Sequence, residues 1–269
     1  MATAVTVVDL HGLAHSRTLA VTRRRTPLCF SSSWSSSKMG FYHLQQRTVA
    51  PLRKRLIIRA ARTESQGVSL GFRAPNFELP EPLTGKMWKL EDFESHPALL
   101  EMWDVRCLSS RLKLNIEVMF ICNHCPFVKH LKKDIVKLAN FYTKKGLAVV
   151  AISSNSVTTH PQDGPQFMAE EAKLFNYPFP YLFDKSQDVA WDFEAVCTPE
   201  FFLFKKDGRR PFELVYHGQF DDSRPSNNLP VTGRDICFAI ECVLSGQPIS
   251  SVQKPSVGCS IKWHTEKIQ

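Results

Sequence analysis

The sequence predicts an α/β domain, a central mixed sheet flanked by helices with a small hairpin ahead of it. Three observations carry that prediction. Short apolar runs such as Val118–Ile121 and Leu147–Ile152 alternate with longer amphipathic stretches, the pattern of parallel strands joined by crossover helices. Late in the chain, Glu200–Phe204 and Phe212–His217 flank the turn signal Asp207-Gly208, so the sheet also has antiparallel members. The 269 residues are 43% hydrophobic, enough for a substantial core.

The first sixty residues stand apart. Residues 1–62 carry eleven Lys/Arg against one acid, Asp9, and include the serine-rich run Ser31–Ser37. An Arg-rich, Ser-rich, acid-poor leader beginning Met-Ala-Thr-Ala is expected to be a transit peptide over 1–60. The chloroplast stroma is the expected destination, with the mitochondrion as the alternative and processing near Ala60. Nothing in the leader is apolar for long enough to form a membrane span or a secretory core. The rest of the chain holds 23 basic and 25 acidic residues, so the formal +8 resides in the leader. A nucleic-acid partner inferred from the pI of 9.1 therefore loses its basis.

Residues 61–69 read as a linker, 70–250 as the domain and 251–269 as a tail. The domain opens with Phe77 and Leu79 alternating as a short strand, a turn at Leu83–Lys86, and a second segment from Met87 to Phe93, together a hairpin extension. Glu101–Glu117 then fits neither a helical period nor strict alternation. Without it, Ala98–Leu100 would run directly into Val118–Ile121 as one buried strand. The passage is therefore expected to be an insertion, genuine or left by an unspliced intron. Next, Phe127, Leu131, Ile135, Leu138 and Tyr142 recur at helical spacing, predicting a helix over 123–145 stopped by Gly146. A strand at Leu147–Ile152, a helix ending near Phe175, a strand at Phe179–Phe183 and a helix at Ser186–Ala195 follow. After the hairpin, Thr232 is expected to cap a last helix running to Leu244.

The chemistry concentrates where the Val118–Ile121 strand meets Cys122-Asn123-His124-Cys125. A strand running into C-x-x-C at the start of a helix is the arrangement of a dithiol/disulfide couple. Cys122 is expected to be the attacking thiolate, favoured by the positive end of the helix, and Cys125 the resolving thiol. His124 is expected to add a donor or cation that favours the thiolate and makes the disulfide more oxidising. Structural zinc would need a second matching cysteine pair, and the eight cysteines provide none, so no metal and no cofactor are expected.

Strand, C-x-x-C, helix, strand, helix, then an X-Pro step into a hairpin and a closing helix resembles the thioredoxin fold. Ala74–Pro80, Gly85-Lys86, Leu90–Phe93, Phe179–Asp184 and Thr198-Pro199 resemble its peroxiredoxin-like (AhpC/TSA) and membrane-tethered thiol-reductase branch. Phe120–His130 and Gly218–Pro225 look like a subfamily of thioredoxin-family proteins of bacteria and plastids. The resemblance covers roughly residues 70–250. It implies exchange with protein thiols and disulfides, fed by an upstream reductant. It also implies a cis Thr198–Pro199 bond that leaves the preceding backbone free to pair with an extended substrate chain.

The seven residues before Cys122 lack the Pro and Thr of the peroxidatic P-x-x-x-T-x-x-C loop. An antioxidant peroxide reductase using Cys122 is thus the alternative enzyme, and a non-catalytic binding module the alternative outside catalysis. Accessory candidates complete the reading. Cys197 is either a third redox thiol or packed and inert. Asp221, Asp222 and Arg224 are placed on a loop expected to emerge beside the cysteines, for substrate contact or proton handling, or as a self-bonded turn. Cys259, in the tail, is either a resolving thiol for Cys122 or unpaired.

Overall fold

The computed structural model describes residues 62–95 and 113–265. The leader over 1–60, Ala98–Leu100 and the passage from 101 to 112 lie outside the described residues.

Among the described residues there are ten strands: β1 Arg62–Glu64, β2 Glu78–Pro80, β3 Met87–Lys89, β4 Lys113–Phe120, β5 Leu147–Ser153, β6 Tyr181–Phe183, β7 Cys197–Thr198, β8 Glu200–Asp207, β9 Glu213–Gly218 and β10 Val257–Ser260. Four α-helices join them: α1 Pro126–Thr143, α2 Pro165–Phe175, α3 Asp188–Asp192 and α4 Arg234–Ser245. The main sheet has the order β6-β5-β4-β8-β9. β4, β5 and β6 run parallel, while β8 is antiparallel to both β4 and β9. β4 therefore lies at the centre, paired on both edges.

Period-two alternation divides the core into two layers. Met119, Val149, Ala151, Phe201 and Leu203 face α1, α2 and α4. Ile116, Val118, Phe120, Val150, Ile152, Phe202 and Phe204 face the opposite way, onto Leu79 of the β2–β3 hairpin, the 3₁₀ turn at Leu90–Ser95 and α3. At Phe193, four rings of this second layer meet within 6.5 Å centroid to centroid, adding edge-to-face contact to simple burial.

The sequence-based bounds of the insertion, the linker and the tail are corrected. Lys113–Glu117, assigned to the insertion, is the first half of β4. It pairs with β8 from Lys113↔Asp207 and with β5 from Asn115↔Leu147, so Ala98–Leu100 is not needed to complete the strand. The pattern was unreadable because backbone pairing on both edges draws Asn115 and Glu117 into the helix-covered layer. Both are buried, with Asn115 Oδ1 and Glu117 Oε2 lacking hydrogen-bond partners among the described residues. Burial pushes the Glu117 carboxyl up to about 8.

The linker and the tail are likewise part of the fold. β10 is the middle strand of a sheet ordered β1-β10-β7, with Arg62↔Cys259 on one edge and Cys259↔Thr198 on the other. Val68 and Ile261 are buried in the second layer.

Candidate active site

β4 delivers the chain to the site, and the Ile121 N–H still bonds the Ile152 carbonyl at 3.0 Å. The helix begins one turn later than its periodicity implies. Pro126 is its first residue and Cys125 its N-cap. Proline fits the first turn because its missing N–H would have no partner there. Cys122 therefore lies ahead of the helix, and it is Cys125 that meets the free N–H groups and the positive helix end.

That shift relocates the charge. Burial opposes a thiolate at Cys125, but hydrogen bonds from the Cys122 and Cys259 thiols, with the Val128 and Cys259 backbone N–H groups, outweigh it and pull the group down. Cys122 moves the other way: burial, its hydrogen bond to Cys125 and the charge of Asp163 push it up, and the Thr198 hydroxyl only partly compensates. One contact argues against charge on Cys125. The Thr198 carbonyl oxygen lies 3.1 Å from its Sγ and accepts the proton of the neutral thiol. Of the two thiols, Cys125 is therefore the one lowered and Cys122 the one raised. Thr198 thus serves both sulfurs, because its hydroxyl lies 3.2 Å from Cys122 Sγ.

His124 is not the thiol's donor. Its Nδ1 is 3.7 Å from Cys122 Sγ but 2.5 Å from Asp163 Oδ2. Hydrogen bonds from His124, and its charge, hold Asp163 below the ordinary carboxylate range against the effect of burial. An ionised Asp163 can only accept, so the Nδ1 proton points to it. The expectation that His124 makes the pair more oxidising is replaced by a structural role, in which His124 ties the turn to Asp163.

Asp163 was not singled out in the sequence. Its fully buried carboxylate accepts the Asn123 N–H at 2.9 Å, the His124 N–H at 3.0 Å and Asn155 Nδ2 at 2.9 Å. Asn123 completes the clamp, donating to the Gln162 carbonyl and accepting from the Tyr181 hydroxyl. His160 lies against His124, with ring centroids 4.5 Å apart. Asp163 is some forty residues from the thiols in a segment marked only by Pro161, Gly164 and Pro165, so no local pattern signals it.

The Thr198–Pro199 bond is cis. The backbone before it is not free, however, since β10 already pairs with Cys197 and Thr198. Cys259, across from Thr198, is 1% exposed and places its Sγ 2.9 Å from Cys125 Sγ. It is neither a mobile tail thiol nor aimed at Cys122. Cys197 is buried and faces the Pro199 carbonyl, and burial followed by the charge of Glu200 pushes its thiol up, as expected of an inert packed group.

The loop after β9 satisfies itself. The buried Asp221 carboxylate accepts the N–H groups of Ser223, Thr232 and Gly233. Asp222 binds Lys254 and Arg234. Arg224 donates to the Asp221 and Ser223 carbonyls and to Gln219 Oε1. Arg224 lines a small depression with Pro199, Ser256 and Val257, so the loop does reach this end of the sheet.

Cys122 Sγ, His124 Nδ1 and an Asp163 oxygen lie within 4.8 Å of one another, three donors of metal-ligating type. Each is already engaged within the turn, and tetrahedral zinc would have to break the His124–Asp163 contact and find a fourth ligand.

Comparison with known proteins agrees with the fold. The AhpC/TSA family model matches residues 109–209. An uncharacterized conserved protein from Geobacillus kaustophilus is 43% identical, with a TM-score of 0.66, over 76% of this chain and 97% of its own. A hypothetical protein from Sinorhizobium meliloti 1021 is 40% identical, with a TM-score of 0.65, over 76% of this chain and 99% of its own. No curated protein matches.

Proposed function

The chain belongs to the AhpC/TSA family of thioredoxin-fold proteins, typically oxidoreductases, and we propose that it is a thiol–disulfide oxidoreductase cycling a Cys122/Cys125 couple on protein substrates. The observation that carries this reading is the pair of buried thiols held between the end of β4 and the start of α1, with the Thr198 hydroxyl 3.2 Å from Cys122 Sγ and its carbonyl 3.1 Å from Cys125 Sγ. No helix among the described residues is long and apolar enough to cross a membrane. The composition of residues 1–60 supports delivery to the chloroplast stroma, a site for the protein that we also propose.

The exchange follows from the proton between the two sulfurs. Cys122 gives its proton to Cys125, whose S–H then donates to the Thr198 carbonyl, while the Thr198 hydroxyl stabilises the Cys122 thiolate. Cys122 attacks a substrate disulfide, and the substrate's leaving thiolate takes a proton from solvent. Cys125, stabilised as a thiolate by the helix start, loses its proton again and attacks Cys122 Sγ. This forms the Cys122–Cys125 disulfide and releases the second substrate thiol. A dithiol reductant resets the couple.

Insulin reduction with dithiothreitol, measured beside hydrogen peroxide consumption, tests the proposal. Wild-type turnover of insulin that falls to background in Cys122→Ser is expected. Peroxide consumption without insulin reduction would instead favour a peroxidase, and loss of neither activity in Cys122→Ser would leave a binding module.

A further inference from the structure

We propose that Cys259 is a third redox thiol, taking over the Cys122–Cys125 disulfide at Cys125 to form Cys125–Cys259 and leave Cys122 free; this rests on the Cys122/Cys125 couple proposed above. Cys125 Sγ lies 2.9 Å from Cys259 Sγ, and Thr198, whose carbonyl is 3.1 Å from Cys125 Sγ, sets its hydroxyl 3.2 Å from Cys122 Sγ.

The placement is built in by the fold. β10 is hydrogen-bonded along both edges, and the β7 register sets Cys259 opposite Thr198, the residue that serves both active-site sulfurs. Gly258 permits the approach, since a Cβ there would collide with the Thr198 carbonyl. On either side, the Ser256 hydroxyl holds the Gly218 carbonyl and the Lys262 N–H holds Asn155 Oδ1. Asn155 in turn binds Asp163, so one polar network fixes both the C-x-x-C turn and β10. The strand thereby fills the backbone edge that an extended substrate would use, and presents a cysteine there.

The step balances without an outside oxidant. Cys259 loses its proton and its thiolate attacks Cys125 Sγ. The Cys122–Cys125 bond breaks, its electron pair leaves on Cys122, and Cys122 gains a proton. One disulfide is exchanged for another, with no net oxidation. In the dithiol state, the hydrogen bond to Cys125, then burial, keep the Cys259 thiol protonated. Once Cys125 is bound to Cys122, its negative charge is gone and that restraint is lifted.

The test is disulfide mapping of the full chain. Wild type, Cys259→Ser and Gly258→Ala are oxidised with one equivalent of diamide, acid-quenched, alkylated and digested without reduction. Wild type is expected to yield the Cys125–Cys259 peptide with Cys122 alkylated. Gly258→Ala, which keeps every thiol, is expected to shift the product toward Cys122–Cys125, and Cys259→Ser to yield Cys122–Cys125 alone. Wild type giving only Cys122–Cys125 would overturn the relay and leave the couple intact. Failure of Cys259→Ser to form Cys122–Cys125 would remove the disulfide the relay starts from, and with it the underlying reading.

Discussion

Two buried carboxylates, Asp163 and Asp221, each hold a loop at the same end of the sheet by accepting backbone N–H groups, yet it is Asp163 that binds the turn between Cys122 and Cys125. Asp163 accepts from Asn123 and His124, the two residues between the cysteines, so its geometry is transmitted to both sulfurs. Asp221 accepts from residues of its own loop and from the residue before α4, so its geometry ends there. An Asp- and Arg-rich loop near an active site is therefore no sign of chemistry. What separates the two is which backbone the carboxylate holds.

The largest effect that sharpens this contrast concerns a third buried carboxylate, Glu117, one of whose oxygens has no partner among the described residues. Its folded-state value near 8 lies above that of the unfolded chain, near 4.5. The folded state therefore holds a proton that the unfolded state releases. Its stabilising contribution is full below about pH 4.5 and is lost as pH rises toward 8, a change on the order of 3–5 kcal/mol. Urea unfolding of wild type should show that decline across the interval, and Glu117→Gln should flatten it. An unchanged slope in Glu117→Gln would mean the carboxylate is not buried as β4 places it.

Next in size, Asp163→Asn and Asp221→Asn should each cost about 2 kcal/mol, since each weakens several charge-assisted hydrogen bonds. They should part on a second measurement. Asp163→Asn also removes a negative charge that raises Cys122, so alkylation of Cys122 by iodoacetamide should quicken at neutral pH. Asp221→Asn should leave that rate unchanged. Equal effects on alkylation would erase the distinction between the two loops.

Acid should also act selectively. Asp163 is held below its ordinary value, so its contribution is present above about pH 4 and lost as pH falls through the folded-state value. His160 is lowered, chiefly by burial, so the folded state disfavours its proton and some stability is lost as pH falls below about 6.5. Hydrogen exchange followed from pH 7 to pH 3 should therefore show residues 155–164 loosening first below about pH 6.5 and further below about pH 4. The smallest effect is expected for Arg224→Ala, whose hydrogen bonds stay within its own loop; insulin reduction should remain close to wild type.

The α/β order, the hairpin and the dithiol were legible because each rests on local pattern: continuous apolar runs in β5 and β8, helical spacing in α1, and C-x-x-C at a strand end. What was lost is non-local. β1 and β10 are three and four residues long, below any useful period, and exist because each finds the other across nearly the whole chain. Lys113–Glu117 was missed because pairing on both edges overrides the polar residues Asn115 and Glu117. The helix start was misplaced by three residues, which moved the expected charge from Cys125 to Cys122. Cys259 and Asp163 become part of the site only through contacts that no spacing encodes.

The central claim, that Cys122 exchanges with protein disulfides, is tested most directly by trapping with Cys125→Ser, which removes the resolving sulfur while leaving the attacking one. Incubated with stromal extract and run without reductant, this variant is expected to migrate as covalent mixed disulfides on Cys122 that collapse with dithiothreitol and are absent from Cys122→Ser/Cys125→Ser. A folded Cys125→Ser protein that captures nothing would contradict the account.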